Sequence, residues 1–140
     1  GTGGNQPRFN TIDRNLIHHV GLYTKQSCAI FSAVSCQNNI SSNILFHGPR
    51  AMIDLNDGFG GATVIERNLL FAAMLETGDH GLFNSWDRQP FVTRVRNGTA
   101  TAVLAWNHLT RNLLLGRAGT VGGRSGGGFD TDDGSDMLNA

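Results

Sequence analysis

Between Phe9 and Ile17 the apolar residues Phe9, Ile12, Leu16 and Ile17 recur at helical spacing, which predicts a short amphipathic helix leading into a strand at His18 to Tyr23. Ser27 to Ser35 is rich in small and apolar residues, and Asn43 to His47 reads as a buried strand ending at Gly48-Pro49. Ala62 to Thr77 carries Ile65, Leu69, Ala72 and Leu75 on one helical face, starts after glycines and stops at Gly78, so the pattern predicts the longest helix there. Phe91 to Val95 and Thr99 to Trp106 are β-prone runs joined by Asn97-Gly98, a dipeptide suited to a type I′ turn, and predict a hairpin that Leu113 to Leu115 extends. No internal repeat is visible. These elements predict an α/β domain over residues 1–115, followed by a tail over 116–140 that holds eight glycines and four aspartates and little apolar surface to bury.

Composition narrows the classes. The 140 residues, 39% apolar, suffice for one modest core. Eleven basic side chains balance eleven acidic ones, so no net field is available to hold a nucleic-acid backbone or an anionic membrane. Ala29 to Val34 and Leu69 to Leu75, the longest apolar stretches, fall short of the roughly 20 residues that span a bilayer, and a soluble protein is expected. Two cysteines, Cys28 and Cys36, do not form the framework of a small disulfide-stapled scaffold and point to reduced thiols. Cytoplasm or an organelle matrix or stroma is the favoured location.

Nucleophilic serine catalysis needs a serine on a tight turn, a histidine as base, a carboxylate to orient it and backbone donors for the oxyanion. Candidates for each occur in order. Gly3-Gly4 precedes the first predicted helix, and Gln26-Ser27-Cys28-Ala29 could form a nucleophile turn. Ser42-Asn43-Ile44-Leu45-Phe46-His47-Gly48-Pro49 is an apolar run ending in His-x-Pro, and Gly58-Phe59-Gly60-Gly61-Ala62 is a glycine-rich segment before the long predicted helix. Trp86-Asp87-Arg88 follows that helix. Over residues 3 to 92 this series resembles the ClpP family of serine peptidases.

The resemblance implies a ClpP/crotonase-type spiral of βαβ units with a C-terminal β-hairpin and a Gly-rich tail. Ser27 would be the nucleophile, His47 the general base and Asp87 the residue that orients it. The backbone N–H groups of Gly4 and Cys28 would form the oxyanion hole, and Gly58, Gly60 and Gly61 would pair with an extended polypeptide substrate. Such subunits assemble into rings with identical or related copies, work with an ATP-dependent unfoldase, and need no cofactor of their own. A catalytically silent ring subunit, an unrelated particle or filament subunit, and a binding domain without hydrolysis are the competing readings.

Other residues carry weaker signals. His18, His19, His80 and His108 with Asp79 lack the spacing of a metal site. The aspartates between Asp130 and Asp136 miss the alternation of a calcium loop. Cys28 sits among apolar residues without a neighbouring cation, which favours an inert thiol.

Overall fold

The computed structural model describes residues 7–56, 60–78, 80–86, 106–116, 120–121, 124–125, 127–132, 135 and 138–139. Among these there are strands and no helix. The first circuit runs through β1 (Thr11–Asp13), β2 (Leu16–His18) and β3 (Ile30–Ala33). The second uses β4 (Asn39–Ser41), β5 (Ile44–Phe46) and β6 (Ile53–Asn56), and the third β7 (Val64–Glu66), β8 (Leu69–Phe71) and β9 (Phe83–Trp86). The fourth contains β10 (Asn107–Thr110), β11 (Leu113–Leu115), a short antiparallel pair β12 (Thr120–Val121) and β13 (Arg124–Ser125), and β14 (Phe129–Thr131). β15 (Leu138–Asn139) then returns to lie beside β10.

Each strand pairs in parallel with its counterpart one circuit on. Three parallel sheets result, which we label by position: the first is β1-β4-β7-β10-β15, the second β2-β5-β8-β11 and the third β3-β6-β9-β14. The chain is thus a parallel β-solenoid of stacked rungs. This corrects the expected α/β spiral of βαβ units.

The physical reason for the correction lies in the bends. Between the first and second sheets every rung turns over two residues, at Arg14-Asn15, Ser42-Asn43, Arg67-Asn68 and Arg111-Asn112. The first residue of each pair is left-handed, with φ of 56°, 56°, 54° and 57°. A period-two strand pattern broken by a two-residue corner places apolar residues at intervals of four and five, close enough to 3.6 to imitate a helix. In the predicted helix 62–77, Ile65 and Leu70 point inward from β7 and β8, whereas Leu69 lies on the outer face of β8. The predicted helix 9–17 is likewise β1, a bend and β2, with Phe9 and Leu16 exposed.

The core is made of columns along the solenoid axis. Ile12, Ile40, Ile65 and Leu109 stack inside the first sheet; Ile17, Leu45, Leu70 and Leu114 inside the second; Ile30, Ile53 and Phe83 inside the third, with the exposed Phe129 following Phe83 in register. Each fully buried aliphatic side chain contributes about 1.5–3 kcal/mol through removal from water.

The sequence does contain a repeat, and unequal spacing hides it. Asn10-Thr-Ile12-Asp-Arg-Asn15-Leu-Ile17 recurs as Asn38-Asn-Ile40-Ser-Ser-Asn43-Ile-Leu45, Thr63-Val-Ile65-Glu-Arg-Asn68-Leu-Leu70 and Asn107-His-Leu109-Thr-Arg-Asn112-Leu-Leu114. The bend asparagines form a ladder. Asn15 donates its backbone N–H and Nδ2 to Asn43 Oδ1, both at 3.0 Å; Asn43 does the same to Asn68 Oδ1, and Asn68 to Asn112 Oδ1. The Nδ2 groups of Asn43, Asn68 and Asn112 also donate to the carbonyls of Ile12, Ile40 and Ile65. The ladder thereby satisfies polar groups that the tight corner buries.

β5 falls within the segment read as a strand, and β11 coincides with the run Leu113 to Leu115. The hairpin expected over 91–106 lies outside the described residues apart from Trp106. Residues 116–140, read as a tail, supply β14 to the third sheet and β15 to the first.

Candidate functional site

The two-residue bend is the same in every rung, and the connections of unequal length lie on either side of the third sheet. They enter it through 19–29, 47–52, 72–82 and 116–128, and leave it through 34–38, 57–63, 87–106 and 132–137. In stacked-repeat proteins, insertions of unequal length collect on the face that most often binds. Along the strands of the third sheet, Phe31, Asp54, Asn84 and Asp130 occupy one outward row and Ala33, Asn56 and Trp86 the next. Neighbours within a row are about 4.8 Å apart, the distance between paired strands.

Asp54 and Asn84 are fully buried although they project outward, because Arg50 and His80 fold over them from the entering loops. Arg50 Nη1 donates to Asp54 Oδ2 at 3.2 Å, and Asn84 Nδ2 donates to Asp54 Oδ1 at 3.0 Å. Arg50 Nη2 lies 2.6 Å from His80 Nε2, and His80 Nδ1 lies 3.1 Å from Asn84 Oδ1. Arginine has no acceptor, so His80 must receive at Nε2 and carry its proton on Nδ1, which then donates to Asn84. The four side chains close a circuit in which every role is fixed. Asp130 Oδ2 approaches His80 Nδ1 at 3.9 Å from the neighbouring strand. Arg50 Nε is buried without a partner.

Cys28, at the end of the first loop, donates its Sγ–H to the Ile30 carbonyl at 3.4 Å. Burial, followed by the charge of Asp54, pushes its thiol up to about 12. It is therefore a protonated packing group and a poor nucleophile.

The solenoid places the residues of the expected triad as follows. Ser27 is half-buried in the 19–29 loop of the first rung, whereas His47 is exposed immediately after β5 in the second, with φ of 61°. No hydrogen bond joins them. His47 instead packs against His19, with ring centroids 4.3 Å apart and planes tilted by 52°, and His18 Nδ1 lies 2.7 Å from His19 Nδ1. Partial desolvation, then His47 and His18, lower the pKa of His19. Asp87, Gly4 and Gly58 lie outside the described residues. Gly60 and Gly61 are buried in the turn between β6 and β7, where the Gly60 N–H donates to the Ser35 carbonyl and the Gly61 carbonyl accepts from Gln37. Those groups are engaged by the preceding rung. Among the described residues, no group of three or more His, Cys, Asp or Glu is placed to hold a metal ion.

The residues that form this face were not singled out by catalytic motifs. The available signal was a recurring pattern of Asn or Thr, spacer, Ile or Leu, two spacers and Asn, which fixes the rungs and so brings Asp54, Asn84 and Asp130 into register.

Fold and site together define a parallel β-solenoid whose third sheet has a loop-flanked outer face. Compared with family models, curated proteins and solved structures, the chain matches none.

Proposed function

We propose that this chain is a recognition module that binds an extended, hydroxyl-rich polymer, a glycan, along the outer face of the third sheet. The observation that carries the proposal is that connections of unequal length flank that sheet on both sides, while its rows bear Phe31, Asn56, Trp86 and Asp130 at least partly exposed. Asn56 and Trp86 are direct neighbours on β6 and β9. Planar amide and carboxylate groups can each engage two hydroxyls, and an indole offers an apolar face to the C–H side of a sugar ring. Rungs stacked at a regular interval suit a ligand that is itself a repeat.

Binding without cleavage fits the polar circuit. Asp54, Arg50 and His80 are committed to one another and covered, so none of them offers a free acid or base to a ligand. The βαβ spiral from which the roles of Ser27, His47 and Asp87 were inferred is replaced here by stacked rungs, so the resemblance that suggested those roles no longer supports them.

The test is affinity electrophoresis of the chain against a panel of neutral and acidic soluble polysaccharides, with Trp86→Ala alongside. Retardation by at least one polysaccharide, weakened on the order of tenfold in Trp86→Ala, is expected from loss of one stacking contact. No retardation by any member, or equal retardation of the variant, would sink the proposal.

A further inference from the structure

Three histidines meet at one corner of the solenoid. His18 closes β2, and His19 and His47 take equivalent left-handed positions after β2 and β5, with φ of 54° and 61°. Stacking of the rungs therefore lays one corner imidazole against the other, with ring centroids 4.3 Å apart. On its other side His19 meets His18, Nδ1 to Nδ1 at 2.7 Å, and His18 stacks on Phe46 with 5.0 Å between centroids. The third rung places Ala72 at the same corner, with φ of 47°, so the imidazole column stops at the second rung.

The cluster has room for few protons. A short contact between two ring nitrogens requires one N–H and one lone pair. One added proton fits at Nε2 of the donating ring, but a second must enter at the accepting Nδ1, and two N–H groups then face each other. A charge on His47 is close to His19 as well, and like charges disfavour one another. Among the described residues no carboxylate pairs with any of the three. The charged groups on the elements packed around them are engaged elsewhere: Lys25 of loop 19–29 with Glu76 of loop 72–82 at 2.8 Å, and Arg50 of loop 47–52 with Asp54 of β6 at 3.2 Å. Desolvation first, then His47 and His18, accordingly hold the pKa of His19 below its ordinary 6.5. The unfolded chain takes up that proton more readily, so the contribution of this corner to stability is present above pH 6.5 and is lost as pH falls through the native value.

What the corner fastens is loop 19–29. The His19 N–H donates to the Phe46 carbonyl at 3.3 Å, at the root of the loop. The loop then crosses Pro49 so closely that a Cβ on Gly21 would stand 2.5 Å from the proline Cγ. Val20 and Ala29 pack against the core at its two ends, whereas Leu22 and Tyr23 at its crest are exposed. A segment with so little buried apolar surface opens at a low cost in free energy. Cys28 lies near its far end, half-buried and close enough to Asp54 to feel its charge.

We propose that His18, His19 and His47 form an acid-sensitive latch on loop 19–29, and that a second proton on the cluster frees the loop from Pro49 and opens access to Cys28. The loop borders the outer face of the third sheet, so closure of that border depends on pH.

The test is the rate at which 4,4′-dithiodipyridine, a disulfide that remains reactive in acid, labels Cys28 in the full chain. Rates are normalised to those of the urea-unfolded chain at the same pH, and the labelled cysteine is assigned by peptide mass. Between about pH 7.5 and about pH 5 the normalised rate at Cys28 should rise on the order of tenfold or more, with no rise at the buried Cys36. Amide protection should be lost over residues 20–29 and kept in β5, β7 and β8. A chain carrying His19→Gln and His47→Gln should show no rise; if that chain labels fast already at neutral pH, His47→Gln alone is used, and its rise should be smaller than that of the native chain. Three results overturn the proposal: no rise in the native chain, an undiminished rise in the glutamine variant, or loss of protection in all three sheets together.

Discussion

Two parts of this molecule solve the same problem, burying polar groups beside a sheet, in opposite ways. At the bend between the first and second sheets the solution is neutral and repeated: one asparagine per rung, each bonded to the next. On the outer face of the third sheet it is ionic and unique: Arg50, Asp54, His80 and Asn84 close a single circuit drawn from two loops and two strands. The ladder spreads its contribution over the length of the solenoid and needs the same residue each time. The circuit concentrates its contribution at one place and lets the loops differ. A repeated device builds a scaffold, and a singular one fixes the shape of a face.

The sharpest way to break this contrast is to remove one member from each. Asp54→Ala leaves Arg50 without its carboxylate partner and is expected to cost about 3–5 kcal/mol in urea unfolding, the range for breaking a buried pair on one side. A loss below about 1 kcal/mol would show that water reaches Arg50 and that the circuit is not closed. Asn68→Ala orphans the N–H of Asn43 and takes one of the donors from the Ile40 carbonyl, for an expected loss of about 2–3 kcal/mol. Asn112→Ala, nearer the last rung where Asn112 is only half-buried, should cost about half as much. Equal losses at the two positions would mean that the ladder acts as separate bends rather than as a continuous line.

Cys28 reports on the circuit through pH. Its native thiol is raised to about 12 from an ordinary value of 9.0, so the unfolded chain releases this proton first as alkali is added. The resulting stability is fully present below pH 9 and is lost as pH rises toward 12. Cys28→Ala should flatten that alkaline decline, measured as the urea midpoint against pH, and an unchanged slope would place the thiol in contact with solvent. The smallest effect belongs to the exposed pair between Lys25 and Glu76, 2.8 Å apart across two loops. Glu76→Gln should change stability by less than about 1 kcal/mol, and less still in high salt.

The strands most legible in the sequence are those where an apolar run meets no competing period. Leu113 to Leu115 and Ile44 to Phe46 are runs of three large side chains, and each is a strand. The segments 9–17 and 62–77 read as helices because each contains a left-handed corner that inserts two residues between strands, and composition does not reveal φ at Arg14 or Arg67. Arginine is an unusual choice for a positive φ, so the corner carries no glycine to mark it. The asparagines carried the information instead, at intervals of 28, 25 and 44 residues that a search for a fixed period passes over. The outer face of the third sheet was less legible again: Asp54, Asn84 and Asp130 are 30 and 46 residues apart, and only strand register brings them into one row.

Those unequal intervals also bear on how this chain tolerates change over generations. Bringing a strand to its partner across 44 residues rather than 25 raises the entropy of loop closure by only about 0.5 kcal/mol, because the cost grows with the logarithm of length. Material inserted where the chain leaves the third sheet is therefore nearly free in stability so long as the next copy of the asparagine pattern arrives to resume the stack. Selection can lengthen or replace the excursion after β9 without renegotiating the core, so loops of new length and sequence can be trialled on an unchanged frame.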